Sequence, residues 1–523
     1  MKVYFGNDSD NKIEKLNNLP NVVAVDTETI SLEGRLIGVA IAPNPNEAFF
    51  FTVNEPMWRE LLTNRKCLLF NAKFDLGKLE MDLDYEDVYL IYLILGEEEC
   101  SLKALAWNKG TIEIPTAKEL MRRHRTKTME GVPLEEVAKM CCQHAMATYF
   151  LWEEVKDKIP EPYSILDKPM VKVLMDMERR GVYIDMEELS RQLIMHKHIL
   201  EDRKHQFIST YGAINMNSPM QLKKVLGLPN TNKQTLAELG NYAAQVLLEY
   251  RRANKAINTY LLPFSEVDNN GRIHCNFDYT RTGRLRSNDP NFQNITRGEL
   301  RRIIATPEGK MLLDVDYNQL ELRVLAHLAN EKRMLETFDK GDNLHTITAN
   351  AICKGNYILG KTLNFAALYG ASEFKIMELV NCSLEEGKQI KKQYEELYPD
   401  YTNFVHEVRK FAREHFYVET VLGRKRQIRE LTSASFAIRE KGMREAVNTV
   451  VQGTASGIVK LAMIELDNLP LVNQVHDELI FEMLPEEVES NKRRIRDVCE
   501  GVYPLQSSLE VEIKTGKNYE VCH

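Results

Sequence analysis

The 523-residue sequence lacks any apolar run approaching the roughly 18–20 residues of a membrane-spanning helix; stretches such as Val88 to Leu95 fall far short. Its opening, MKVYFGNDSDNKIEK, has no apolar core and carries acids, so it reads as neither a secretory nor a transit leader. The nine cysteines include no CxxC pair, and only Cys141 and Cys142 are adjacent. This argues against a disulfide framework or a cysteine-rich zinc site and predicts reduced intracellular thiols. Internal repeats and low-complexity tracts are absent. An excess of basic charge is also missing, with 68 Lys+Arg against 76 Asp+Glu and a net charge of −8. That excludes a generally basic, histone-like surface but not a local basic groove. Between residues 251 and 302, ten Lys and Arg stand against five acids, and local charge is what neutralises phosphates. Apolar residues at 44% and charged residues at 28% describe an ordinary globular chain. Its length predicts three or four domains at about 150 residues each.

The first 160 residues read as α/β. Val22–Asp26, Leu36–Ala42, Ala48–Val53 and Cys67–Phe70 are short apolar or β-branched runs that predict strands. Met57–Leu62, Leu76–Leu79, Leu102–Trp107 and Pro133–Val155 predict helices. Prolines 160 and 162 suggest a boundary. Residues 167–260 are almost purely helical in period, broken at Asn217-Ser218-Pro219 and at Pro229-Asn230, and a mixed region follows.

Acids recur where strands meet turns. Asp26 and Glu28 are two apart on one strand and so share a face. Asp75 follows a second strand, and Asp314 and Asp316 end the strand Met311–Val315. Asp477 and Glu478 sit at the bend of a hairpin between Leu471–Val475 and Leu479–Phe481. One such acid alone reads as a solvated turn residue or a helix cap. Together, carboxylates on separate strands suit hard Mg²⁺, which takes a few carboxylates plus phosphate oxygens, and two such ions serve phosphoryl displacement. In Gly360–Gly370, Lys361, Phe365 and Tyr369 fall at i, i+4 and i+8 on one helical face. A cation and two rings suit a triphosphate and a base, although the same stripe could pack into a core.

These segments resemble the DNA polymerase I family (family A), in the form with a proofreading exonuclease domain and no 5′-nuclease domain. Asp316-Tyr317-Asn318-Gln319-Leu320-Glu321-Leu322-Arg323 resembles its first palm motif, Lys361–Gly370 its fingers helix, and Gln474-Val475-His476-Asp477-Glu478 its last palm motif. Arg281–Leu285 with Asp289–Asn294, Gly423–Arg426, Asn448–Ala455 and the C-terminal Gly516–His523 match further signatures.

The resemblance implies an RNase H-like exonuclease domain over 1–160 and a right-hand polymerase over 161–523. The thumb would lie near 185–265, the palm near 266–335 and 425–523, and the fingers near 336–424. It implies a soluble monomer of the bacterial cytoplasm or nucleoid that takes primer-template DNA and dNTPs. Asp316 and Asp477, with the carbonyl of Tyr317, would hold two Mg²⁺ ions, for which Mn²⁺ could substitute; Glu478 lies adjacent. Glu321 would exclude a 2′-hydroxyl, and Phe365 in place of tyrosine implies discrimination against dideoxynucleotides. Gln319, His345, Lys361 and Tyr369 complete the nucleotide site, while Arg284, Asn294, Arg444, Asn448, Gln452 and His476 would touch DNA. Asp26, Glu28 and Asp75 would hold the exonuclease metals.

Two departures stand out. Tyr357 occupies the place of a fingers arginine, leaving Lys354 as a substitute cation. Met140 and His144 occupy the places of an exonuclease tyrosine and aspartate, which predicts weak or absent proofreading. Compact thumb and fingers favour a bacteriophage replicative enzyme over a cellular repair enzyme. A single-subunit RNA polymerase, or a binding protein without catalysis, are the competing readings.

Overall fold

The computed structural model of the chain describes residues 2–4, 15–16, 18–31, 34–97, 99–368 and 370–522. Tyr369, one of the expected nucleotide contacts, lies outside the described residues. The N-terminal part is built on a mixed sheet of β1 (Lys2–Tyr4), β2 (Val22–Thr29), β3 (Leu36–Asn44), β4 (Glu47–Thr52), β5 (Lys66–Leu69) and β6 (Asp84–Asp87), in the order β1-β4-β3-β2-β5-β6. Strands β2, β3 and β4 pair antiparallel, and β5 and β6 extend the sheet in parallel. Central strand β2 is buried along both faces, as expected for a strand covered on each side. Helix α1 (Ala72–Leu79) begins where the Asp87 carboxylate accepts from the backbone N–H of Asn71 and of Ala72, at 3.2 and 2.8 Å. Helix α2 (Leu134–Val155) packs across β2, β3 and β4.

After α2 comes α3 (Lys168–Arg180), which belongs to two cores at once. Its Val171 packs into the N-terminal core, whereas Met170, Val173, Leu174 and Met177 pack into the larger C-terminal one. A smaller core gathers Phe207, Leu222, Leu236 and Leu247 between α4 (Met186–Tyr211), two short helices and α5 (Tyr242–Lys255). This is the helical stretch that the sequence period predicts.

The C-terminal region carries an antiparallel sheet. Its strands are β7 (Met311–Tyr317), β8 (Leu471–Val475), β9 (Glu478–Met483) and β10 (Val511–Gly516), in the order β8-β9-β7-β10. Helix α6 (Leu320–Ala329) follows β7. Beyond it, α7 (Leu344–Ile352) and α8 (Tyr357–Leu368) form an antiparallel pair, and the 30-residue α9 (Phe436–Glu465) runs through the core. The α7–α8 approach is close enough that a Cβ on Gly360 would meet the His345 carbonyl oxygen at 2.5 Å and the Ala349 nitrogen at 2.7 Å. Backbone atoms cannot yield as a side chain does, so glycine fixes this crossing.

All nine cysteines are free. Among the described residues, no helix is long and apolar enough to cross a membrane.

Candidate functional site

The antiparallel register sets Asp316 on β7 directly opposite Glu478 on β9 and Glu512 on β10. Asp477 occupies the two-residue turn between β8 and β9, after His476 in a left-handed conformation at φ 59°. Its carbonyl accepts from the Tyr317 N–H at 3.3 Å, which ties the two acidic turns together. Burial, then Asp477, Glu478 and Glu512, pushes Asp316 up to about 7. Burial with Glu478 and Asp316 takes Asp314 up to about 8. Burial likewise raises Asp477 and Glu478, the latter despite a hydrogen bond donated by the Tyr519 hydroxyl. Carboxyls this crowded favour protons only while no cation is present. A divalent ion reverses that preference, so the donor set fits a hard cation.

Glu321, in the first turn of α6, is ion-paired with Arg284. Gln319 stands just before it at φ 53°. The segment containing Asp289–Asn294 is fastened by Gln293. Its amide donates to the Leu285 carbonyl at 3.2 Å and to the Gln474 side-chain oxygen at 3.1 Å, and accepts from the Ser287 N–H at 3.1 Å. This buried glutamine therefore joins the Arg284 hairpin to the strand that presents His476 and Asp477. Asn294 and His476 are exposed.

On α8, Lys361 and Phe365 point outward while Leu363, Ala367 and Leu368 are buried, as their spacing predicts. Lys361 Nζ lies 5.9 Å from the centre of the Phe365 ring. Behind this face, His345 is buried, and its ring centre stands 5.7 Å from Phe365 and 5.9 Å from Tyr357. Burial, then Lys361, lowers His345 to about 4, so it is neutral near pH 7. Its Nδ1 accepts from the Asn364 amide at 3.0 Å. The Asn364 oxygen in turn accepts from Thr348 at 2.9 Å and Tyr394 at 3.1 Å. This fully buried network locks α8 onto its neighbours, and the apolar-stripe reading of the sequence passed over it. Tyr357 packs edge-on against His345, while Lys354 is exposed in the turn after α7.

Arg444, Asn448 and Gln452 recur every four residues on α9 and share one face. Arg444 and Asn448 line a cavity of about 580 Å³ with Ala366, Phe374 and Leu379. Arg424 had no role assigned from sequence. It is buried with Asp167 and Lys460: Lys460 Nζ lies 2.8 Å from Asp167 Oδ1 and Arg424 Nη1 3.3 Å from Asp167 Oδ2. Burial, opposed by Asp167, lowers Lys460 to about 8.

In the N-terminal domain Asp26, Glu28 and His144 converge, each offering one donor atom within 4.8 Å of the others. His144 Nδ1 lies 3.7 Å from Asp26 Oδ2 and 3.9 Å from Glu28 Oε1, and its Nε2 is 2.7 Å from the Pro115 carbonyl. Burial opposes a charge on His144, but Asp26 and Glu28 override it and raise the imidazole to about 9. Burial, then Asp26, raises Glu28. Asp75 stands outside this trio: its carboxylate accepts from the Thr27 hydroxyl at 2.6 Å, and burial raises it. Met140 is fully buried.

The chain is similar to DNA polymerase I of Chloroflexus aurantiacus, at 30% identity over 97% of this chain and 62% of that protein. It is likewise similar to the thermostable DNA polymerase I of Thermus thermophilus, at 30% identity over 91% of this chain and 64% of that one. The chain thus spans somewhat under two thirds of the length of these curated relatives. In structure it matches the POL domain of Pol1 from M. smegmatis, solved in complex with DNA primer-template and dNTP. The TM-score is 0.85 and the identity 25%, with 99% of each chain covered. A family profile, DNA polymerase family A, matches residues 185–521, more than half of the sequence. With its paired acidic turns and outward lysine already placed by the fold, the chain belongs to DNA polymerase family A.

Proposed function

We propose that the chain is a template-directed DNA polymerase, extending a primer 3′ end with deoxynucleotides by two-metal phosphoryl transfer. The observation that carries this reading is the meeting of Asp316, Asp477 and Glu478 on the β7–β9 pair, with the Arg284–Glu321 ion pair beside Asp477. Asp316, Asp477 and the Tyr317 carbonyl would hold two Mg²⁺ ions. When bound, such ions make the primer 3′-hydroxyl more acidic and offset charge on the departing pyrophosphate. Lys361 would meet the triphosphate as a point charge, and neutral His345 would help position the Phe365 ring against the nucleotide. Arg284, Asn294, Arg444, Asn448, Gln452 and His476 would follow the shape of the primer-template.

Glu321, held by Arg284, would fill the volume in which a 2′-hydroxyl sits. Primer extension with dNTPs or NTPs separates this reading from that of an RNA polymerase. We expect extension with dNTPs only, and Glu321→Ala to raise ribonucleotide use by about tenfold or more. Equal extension with NTPs by the parent chain would defeat the assignment.

For the N-terminal domain we propose a 3′–5′ exonuclease fold whose proofreading with Mg²⁺ is weak or lost. Met140 has no group to orient a water, and His144 replaces a hard oxygen donor with imidazole. With Mg²⁺ and no dNTPs, a mismatched primer is expected to persist. Rapid trimming that Asp26→Ala abolishes would refute this.

A further inference from the structure

We propose that Asp26, Glu28 and His144 form a binding site for a borderline divalent cation, such as Zn²⁺ or Co²⁺, in preference to Mg²⁺. The proposal concerns ion selectivity and stands apart from whether the palm polymerises or the N-terminal domain cuts DNA.

Three observations carry it. The first is convergence from two elements. Asp26 and Glu28 project from β2, and His144 comes from α2 packed across that strand, so the trio is a product of the fold and not of a local acidic run. The second is the imidazole's orientation. Its Nε2 is spent on the Pro115 carbonyl at 2.7 Å, which leaves Nδ1 to face the carboxylates. A backbone carbonyl behind a histidine is the usual outer partner that fixes the tautomer and ring angle of a metal-bound imidazole. The third is an enclosed acceptor without a donor. Asp26 Oδ2 is shielded from solvent and takes no hydrogen bond, and Glu28 is only 8% exposed. The 3.7 and 3.9 Å gaps to Nδ1 exceed hydrogen-bond length. They approach the spacing of about 3.4 Å between donors that share one tetrahedral ion at about 2.1 Å.

Donor chemistry sets the preference. Mg²⁺ demands hard oxygens in near-octahedral array and keeps its water reluctantly exchanged, whereas imidazole suits the later first-row ions. Asp75 lies beside Asp26 with one oxygen accepting from Thr27, and the converging trio itself offers one nitrogen and two carboxylates.

The test uses the full chain carrying Asp316→Asn and Asp477→Asn, so that the palm contributes no tight site. Co²⁺ is titrated against a large excess of Mg²⁺ and followed by its ligand-field absorption, and Mn²⁺ is added without Mg²⁺ and followed by pulsed EPR. We expect one Co²⁺ per chain that Mg²⁺ does not displace, and nitrogen hyperfine coupling from a single imidazole on Mn²⁺ bound in the absence of Mg²⁺. His144→Ala should weaken Co²⁺ binding by about tenfold or more. His144→Asp should still bind a cation but allow Mg²⁺ to compete. The proposal is overturned by absence of binding, by unchanged affinity in His144→Ala, by Co²⁺ selectivity surviving in His144→Asp, or by bound Mn²⁺ without nitrogen coupling. The hyperfine measurement needs no substitution within the trio, so a misfolded His144 variant cannot obscure the result.

Discussion

Replacing Asp316 with asparagine is expected to slow primer extension by about a thousandfold or more, and Asp477→Asn should do the same. The change keeps side-chain volume but removes a carboxylate, proposed above as a metal ligand, where β7 meets the β8–β9 turn. Losing several kcal/mol of transition-state stabilisation corresponds to about three powers of ten in rate. A rate within tenfold of the parent would show that the acidic turns do not carry the chemistry. Stability should move the other way. Asp316 is raised from the usual carboxylate range to about 7, by burial and then by Asp477, Glu478 and Glu512. Without metal the unfolded chain therefore loses this proton first, and stability conferred by the protonated carboxyl drains away between about pH 4 and 7. Asparagine carries no such proton, so metal-free Asp316→Asn should lose less stability over that window. Thermal melts in EDTA at pH 5 and pH 8 measure the difference.

The second large effect is expected at Asp167. Its carboxylate is fully buried and is the partner of both Lys460 and Arg424. Asp167→Asn would strand two cations in the interior, where breaking a buried ion cluster costs about 3–5 kcal/mol. The melting temperature should fall by several degrees. Asp167→Leu combined with Arg424→Met and Lys460→Met should recover most of the loss, since apolar replacement of a whole buried ion cluster is often neutral. A single Asp167→Asn variant as stable as the parent would mean that water or another group neutralises the cations.

The contrast between these two sites shows what sequence periodicity carries and what it omits. Asp26, Glu28, Asp316 and Asp477 were legible because strands alternate and turns interrupt apolar runs, and β2, β7, β8 and β9 follow those runs to within a few residues. The exposed face of Lys361 and Phe365 was legible from the 3.6-residue period. Asn364, Gln293 and Asp167 were not. Each is a polar residue whose partners lie on distant segments, and no local pattern separates a satisfied buried amide from a solvated one. Arg424 stood in a recognisable signature, but its burial depends on Asp167, 257 residues earlier. His144 was placed by its neighbours along α2, whereas the convergence of its Nδ1 with Asp26 and Glu28 emerged only when the helix crossed the sheet.

The helix shared by two cores has an evolutionary consequence. Because α3 gives Val171 to one core and Met170, Val173, Leu174 and Met177 to the other, deleting the N-terminal domain would unroof the same helix that supports the larger one. Lys73 strengthens the joint by donating to the Phe277 carbonyl at 2.6 Å across the two regions. A chain built this way cannot shed its N-terminal domain without baring a helix that both cores need. Selection would therefore hold the apolar face around α3 fixed whatever becomes of the residues on that domain's surface.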